Sequence, residues 1–434
     1  MKLLKINAIA FLCIMSQYAG ASGYHLLEQN ASDLGRAFSG DAALADNATI
    51  EYANPAGMME IKKPSISGSA VLINAHTHFV ADSSTNIYGV NVTGVREENP
   101  LKTKVVPSLH YVHPINSKLT FGFGITEPFG LATEYDSKGL VRYFATKSDI
   151  VTINFNPSLA YAVTDKFFVG VGVSAQYLTA NLDRKLDAGA ALSHAASDPT
   201  KDVNVQNSAN DWGYGANFGL MYKFTPNTIV GFSYRSEIHH QLKGDLKVQY
   251  PATLTANQIS LLSALGYRDG KVDSNINLPE VATLSLFQRI TDNWDVTATA
   301  SFTHWGRFNY LTLKYDTGLR NVDVHENFQD SMRYAIGTDY KLNESWTFRF
   351  GTAYDNSPVQ NSNRNVSLPD ADRFWLACGA NYAFNRDVSI DLGYAYLFLK
   401  SGTVDDASGH QRITGHYNDT YVNLFGLQLN WQFG

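Results

Sequence analysis

The dominant pattern along the chain has a period of two. From Tyr421 to Phe433 one parity reads Tyr421, Asn423, Phe425, Leu427, Leu429, Trp431, Phe433, and the other Val422, Leu424, Gly426, Gln428, Asn430, Gln432. Residues 212–224 repeat it, with Trp212, Tyr214, Ala216, Phe218, Leu220, Tyr222 and Phe224 set against Gly213, Gly215, Asn217, Gly219, Met221 and Lys223. Residues 151–163 do the same. Because successive side chains of a strand point to opposite faces, such alternation predicts half-buried strands. Strands of a soluble sandwich alternate too. Here the second face is Gly, Ser, Asn and Gln with few charges, and Tyr, Trp and Phe recur at strand ends. That combination predicts a lipid-facing band with aromatic girdles around a polar lumen.

Short turn-forming clusters punctuate the strands at Pro114-Ile115-Asn116-Ser117, Thr164-Asp165-Lys166, Thr225-Pro226-Asn227, Thr291-Asp292-Asn293, Leu342-Asn343-Glu344 and Asn385-Arg386-Asp387. Outer-membrane barrels keep their turns short on the periplasmic side and their loops long outside. Six inner turns leave seven outer hairpins. The expectation is therefore an all-β, 14-stranded antiparallel transmembrane β-barrel over residues 64–434. Its strands fall near 64–76, 102–113, 118–134, 146–163, 167–184, 210–224, 228–244, 274–290, 294–314, 324–341, 345–356, 371–384, 388–400 and 420–433.

Composition agrees. Aromatics make up 12% of the 434 residues and charged residues only 17%, against about 25% in ordinary globular chains. Past the first twenty residues no apolar run reaches the roughly 18 residues that a spanning helix needs. A net charge of -6 argues against nucleic acid as a partner. Residues 1–21 read as an export signal: Lys2 and Lys5, a short apolar core from Ala8 to Met15, and the small cleavage site Ala19-Gly20-Ala21. Cys13 lies inside that signal, so Cys378 has no internal disulfide partner. Stability must come from elsewhere, and a closed barrel supplies it.

Three segments fall outside the barrel wall. Residues 22–63 lack alternation, and a lumen wider than that of an 8-stranded barrel has room to hold them as a plug. The other two are outer loops, 185–208 and 245–273; in the second, Leu254, Ile259, Leu262 and Leu265 predict a short amphipathic helix.

Catalytic patterns are absent: no phosphate-binding Gly-rich loop, no His-Glu-x-x-His and no Gly-x-Ser-x-Gly. Neither an enzyme nor a cofactor or metal site is expected. His239 and His240 are adjacent, and on a strand they point to opposite faces. The third strand is more informative. Its alternation from Leu119 to Thr126 ends in Glu127-Pro128-Phe129-Gly130. Pro removes a ladder donor and Gly marks a bulge or close approach, so pairing fails here, as a rim bulge or as a gap in the wall. In the fifth strand Leu178, Leu182 and Arg184 share the inward face; an Arg beyond two Leu pins a carboxylate over an apolar floor, or neutralises a neighbouring group. Arg235 and Glu237 share the inward parity of the seventh strand and pair with each other or with the plug.

In order along the chain, several short stretches resemble the FadL family of outer-membrane long-chain fatty acid and hydrocarbon transporters. They are Leu34-Gly35-Arg36-Ala37-Phe38-Ser39-Gly40, Ala45-Asp46-Asn47, Asn54-Pro55-Ala56, Gly130-Leu131-Ala132-Thr133-Glu134, Tyr234-Arg235-Ser236-Glu237, Asn277-Leu278-Pro279-Glu280, Ser357-Pro358-Val359 and Asp372-Arg373-Phe374-Trp375-Leu376. The resemblance implies an N-terminal hatch carrying Arg36, Asn54, Pro55 and Ala56. It implies passive capture of a long-chain fatty acid, or another apolar small molecule, by the outer loops. Transfer to a pocket at Leu178, Leu182 and Arg184 follows, then sideways exit at Pro128, Phe129 and Gly130. It also implies an outer-membrane setting, with lipid and lipopolysaccharide around the barrel and the barrel assembly machinery as a folding partner. The sequence departs from the family at Val324, before His325-Glu326, where the family carries a second lysine. Gly434 after the final aromatic is a further departure.

Overall fold

The computed structural model of the protein describes residues 23–308, 310–408 and 411–434. The export signal and its cleavage site lie outside them. Fourteen wall strands run up and down in one closed sheet. They are β1 Ser65–Thr85, β2 Lys104–Asn116, β3 in two pieces, Leu119–Thr126 and Gly130–Glu134, β4 Lys147–Ala162, and β5 Phe167–Leu186. Next come β6 Val203–Thr225, β7 as Thr228–Arg235 and Ile238–Gln249, and β8 as Gly270–Leu278 and Val281–Thr291. The rest are β9 Trp294–Thr303, β10 Ser331–Lys341, β11 Trp346–Asp355, β12 Arg373–Ala383, β13 Val388–Leu399 and β14 Gln411–Gln432. Pairing of β1 with β14, from Ser65 opposite Gln432 to Thr85 opposite Arg412, closes the ring.

Alternation fixes which face is which. On β14, Leu427, Leu429 and Trp431 are about half exposed, while Gln428 and Asn430 between them are buried. The aromatic girdle gathers at the short-turn end: Phe224, Trp294, Tyr340, Trp346, Phe384 and Trp431 are all exposed there. The first turn is shifted from its expected place. Pro114 lies within β2 opposite Thr120, beside a bulge, and the chain reverses at residues 117–118.

Several strands are longer or more broken than alternation predicts. β5 and β6 stay paired through Asp183–Gln206 and Lys185–Asn204, in the stretch expected to be loop. Outside the membrane both faces of a ribbon meet water, so the ladder continues while the apolar alternation fades. Within 245–273 the expected helix forms at Ala256–Ala264 (α3, after two short helices described below), opened by a reciprocal Thr255–Gln258 capping box. β7 breaks after Arg235 and β8 after Leu278, where Pro279 cannot donate. Residues 294–314 do not form one strand. After Thr303 the chain turns inward through Trp305–Arg307, and Tyr310–Tyr315 pairs with Val322–His325 as a hairpin joined to β8 at Val272 and Asp273. Val324 thus belongs to that hairpin, not to β10.

Most of residues 24–61 lie buried against the inward faces of the wall. Asn30 caps a short helix, Ala31–Leu34 (α1), by accepting from the Asp33 N–H. Ile50–Ala53 (α2) is followed by a 3₁₀ turn, Pro55–Glu60, capped by Asn54 with Pro55 at its first position. The segment sits so close to β5 and β6 that a Cβ at Gly170 or Gly219 would strike Pro55, Ala56 or Asn54. The small inward face of these strands is the space that the segment occupies.

Candidate functional site

The break in β3 is one-sided. Toward β4 the pairing resumes at once, from Thr126 opposite Asn154 to Gly130 opposite Val151. Thr152 Oγ1 bridges the interruption, accepting from Phe129 N at 3.0 Å and donating to Phe129 O at 2.8 Å. Toward β2 the ladder stops at Leu109 opposite Ile125, and the partners resume only with Leu101 opposite Thr133. Between these points the wall has no β2–β3 ladder among the described residues, and Pro107 has no N–H to offer.

The N-terminal segment takes up the released bonds. Leu26 N donates to Pro128 O at 2.8 Å, and Gly130 N donates to Tyr24 O at 2.9 Å. The Gln29 amide accepts from Glu127 N at 3.0 Å and donates to Glu127 O at 2.8 Å. On the opposite edge Ser108 Oγ donates to Gln29 O at 2.5 Å. Residues 24–29 therefore span the gap from inside.

Above this stretch lies an apolar cavity with about 740 Å³ of atom-free space, partly open to solvent. Leu131, Ile150, Leu182, Leu311, Val324 and Phe328 line it, together with Arg184 and Glu326. Its floor is Tyr24, packed edge-on against Trp305 at 4.7 Å, Phe308 at 5.7 Å and Phe129 at 6.0 Å between ring centroids. Arg184 makes no side-chain hydrogen bond or ion pair among the described residues. Glu326 accepts from the Asn365 amide at 3.1 Å through both oxygens, and burial pushes its carboxyl up to about 7. Glu326 can hold a proton near neutrality; Arg184, Lys147 and Asp183 are the other charged groups of the lining.

The rest of the N-terminal segment is held differently. Arg36 pairs with Asp33 of the same segment, with Asp339 of β10 at 2.6 Å and with Asp46 at 3.5 Å. Arg349 of β11 pairs with Asp391 of β13 and reaches Asp46 at 3.3 Å. Asn54 donates to the carbonyls of Ala42 at 2.7 Å and Leu220 at 3.0 Å. Glu51 accepts from Ser158 Oγ at 3.0 Å and lies 3.4 Å from His110 Nδ1.

Leu182 and Arg184 thus share a cavity with Val324. Leu178 is fully buried lower in the same apolar cluster and does not line the cavity. Pro128, Phe129 and Gly130 sit at the one-sided break, and Phe129 also touches the floor residue Tyr24. Arg235 and Glu237 do not pair. The break in β7 resets the parity: Arg235 donates to Tyr52 O at 2.9 Å, whereas Glu237 meets Arg307 at 3.3 Å. Sequence reasoning missed Tyr24, Gln29 and Trp305. The failure of alternation at His304-Trp305-Gly306 was the available signal for Trp305; Tyr24 and Gln29 sit in a segment with no periodicity to read.

Residues 12–433 match the family described as outer membrane protein transport protein (OMPP1/FadL/TodX). The chain is similar to the long-chain fatty acid transport protein of Salmonella typhi, 33% identical over 433 residues and 97% of each chain. It is similar to outer membrane protein P1 of Haemophilus influenzae, at 31% identity over 96% of each chain. Among solved structures, a Pseudomonas aeruginosa FadL homologue superposes with a TM-score of 0.86 at 24% identity, over 95% of this chain and 100% of that one. The Pseudomonas putida toluene transporter TodX gives 0.68 at 19% identity, over 95% and 100%. At these identities the two structures speak for the fold.

Proposed function

The chain belongs to the OMPP1/FadL/TodX family of outer-membrane transport proteins, and from that premise we propose that it takes up long-chain fatty acids passively across the outer membrane. The ligand is captured at the outer loops and seats its carboxylate on Arg184, with its tail along Leu182, Leu311 and Val324. It leaves sideways at the β3 break, into lipid. The observation that carries this reading is a coincidence of place: Tyr24 lines the cavity, and the stretch it begins, residues 24–29, bridges the unpaired edge of β3 from inside. Displacing them opens the cavity and the wall together. We take the ion-paired remainder, through residue 61, as a plug that stays in place, which makes a downward route unfavourable.

The energetics suit a lateral route. An acyl chain gains nothing by passing from one aqueous phase to another, whereas transfer from an apolar pocket into lipid keeps roughly 0.8 kcal/mol per methylene. Uncharged hydrocarbons are the second reading. Val324, an apolar residue facing the Arg184 cavity, favours it, and the similar TodX structure is named as a toluene transporter.

The test is labelled-oleate binding and uptake in cells lacking their own transporter, with Gly130→Val as the variant and heat-modifiable gel mobility as the folding control. A β-branched residue favours regular strand geometry and obstructs the break. Binding is expected to persist while uptake falls sharply. Normal uptake by a folded Gly130→Val protein would rule out exit at this part of the wall.

A further inference from the structure

A second cavity lies below the first, between the N-terminal segment and the inward faces of β6 to β11, with about 950 Å³ of atom-free space partly open to solvent. One stretch of chain divides the two. Tyr24 lines the upper cavity, while His25, Leu27 and Gln29 line the lower one. The stretch is the same one that bridges the β3 break, so its displacement joins upper cavity, lower cavity and gap.

The lower cavity contains an unusual cation. Arg333, on β10, is 4% exposed. Its Nη2 donates to Ala37 O, and its Nε and Nη1 have no hydrogen-bond partner among the described residues. The guanidinium lies 5.6 Å from the Trp375 ring and 6.0 Å from that of Phe38. The other buried arginines differ. Arg36 is surrounded by carboxylates, Arg142 donates to Asp202 at 2.8 Å, and Arg349 pairs with Asp391. The acidic groups near Arg333 are Asp355, its cross-strand partner on β11, Asp41 and Glu28, and no ion pair joins them to it among the described residues. Asp41 accepts from Ser285 Oγ at 2.9 Å and from Thr299 Oγ1 at 3.2 Å. Asp355 lies beside Arg373 at 4.0 Å. A buried donor left unpaired is costly, more so on a charged group, so these N–H groups suit an anion that enters the cavity. Leu27, Phe38 and Val281 in the same lining suit an apolar tail.

We propose that the lower cavity is a second fatty-carboxylate site, with Arg333 as its cation, occupied when ligand has left Arg184 and before its tail passes through the β3 break. The proposal rests on the uptake reading above. It assigns two head-group stations to one path, separated by residues 24–29.

The experiment uses the folded protein crystallised with 2-bromostearate, whose bromine marks the head group by anomalous scattering, alongside solution binding stoichiometry for the same acid. Two bromine peaks are expected, one beside Arg184 and one beside Arg333, with two equivalents bound. Arg333→Met should remove the lower peak, weaken the second equivalent by about 10- to 100-fold and leave the upper peak; Arg333→Lys should restore part of the affinity. The methyl ester, which needs no variant, should lose the lower peak in the unaltered protein. Competition by acetate should be weak, because the apolar lining adds to the site. A bromine peak at Arg184 alone, a lower peak that persists in Arg333→Met or with the ester, or equal competition by acetate overturns the second site while leaving the uptake reading intact. Absence of bromine from both cavities overturns both.

Discussion

The two ends of the N-terminal segment are attached to the barrel by different chemistry. Residues 24–29 are held by backbone hydrogen bonds to the frayed edge of β3, one Gln29 side chain and edge-on aromatic contacts of Tyr24. Residues 31–61 are held by buried ion pairs and polar bonds reaching β2, β4, β6, β10 and, through Arg349, β11. Backbone bonds and ring contacts are each worth about a kcal/mol and can be traded for ligand contacts. A buried ion pair, once one partner is removed, leaves an uncompensated charge at a cost of about 3–5 kcal/mol. On the proposed route the first end yields and the second stays.

The sharpest way to break this contrast is at the strong end. Arg36→Ala leaves Asp33, Asp46 and Asp339 facing each other, and is expected to loosen residues 31–47 by about 3–5 kcal/mol. Planar-bilayer conductance and hydrogen exchange check it. Large, steady conductance and fast exchange are expected, whereas deleting only residues 23–30 should leave conductance low. Equal conductance for the two variants would abolish the distinction.

The weak end carries its own pH dependence. Both Glu28 oxygens lack a hydrogen-bond partner among the described residues, and burial pushes the carboxyl from 4.5 up to about 7. The folded state then binds the proton more tightly than the unfolded one. Docking of this end is strongest below about pH 4.5 and weakens as pH rises through about 7, by a total on the order of 3 kcal/mol. Exchange of residues 23–30, corrected for intrinsic rates, should rise between pH 5 and pH 8, and Glu28→Gln should flatten the change. His25 stays neutral across that window, since burial lowers it to about 4.

Smaller effects concern the ligand above the weak end. Arg184→Ala is expected to weaken fatty acid binding by about 1.5–3 kcal/mol and to spare the methyl ester. Equal loss for acid and ester in a titration would make Arg184 structural. Val324→Lys adds a partly exposed cation to the same cavity and should tighten acid binding by about 1 kcal/mol or less, read in the same titration.

Much of the barrel was legible because a wall strand has to satisfy lipid on one side and lumen on the other. Leu427, Leu429 and Trp431 could not trade places with Gly426, Gln428 and Asn430 without exposing amides to hydrocarbon, so strand number and facing follow from parity. The β3 break was legible from Pro128 and Gly130, which disturb a ladder by their own covalent structure. Where the wall meets only water, the signal fades: the paired ends of β5 and β6 looked like loop. The parity of Glu237 was misjudged because a break shifts every later residue to the other face.

By itself, the sequence determined a fourteen-stranded wall, its short-turn side, a leader too irregular to belong to it and a weak point in β3, since each is encoded by neighbours along the chain. Tertiary structure decided what fills that weak point. Tyr24 and Gln29 meet residues 127–130 across roughly a hundred positions of sequence, and Asp41, near Arg333, is turned to Ser285 and Thr299 instead. Parity states which face a side chain takes; only the closed ring decides which side chains share the space inside.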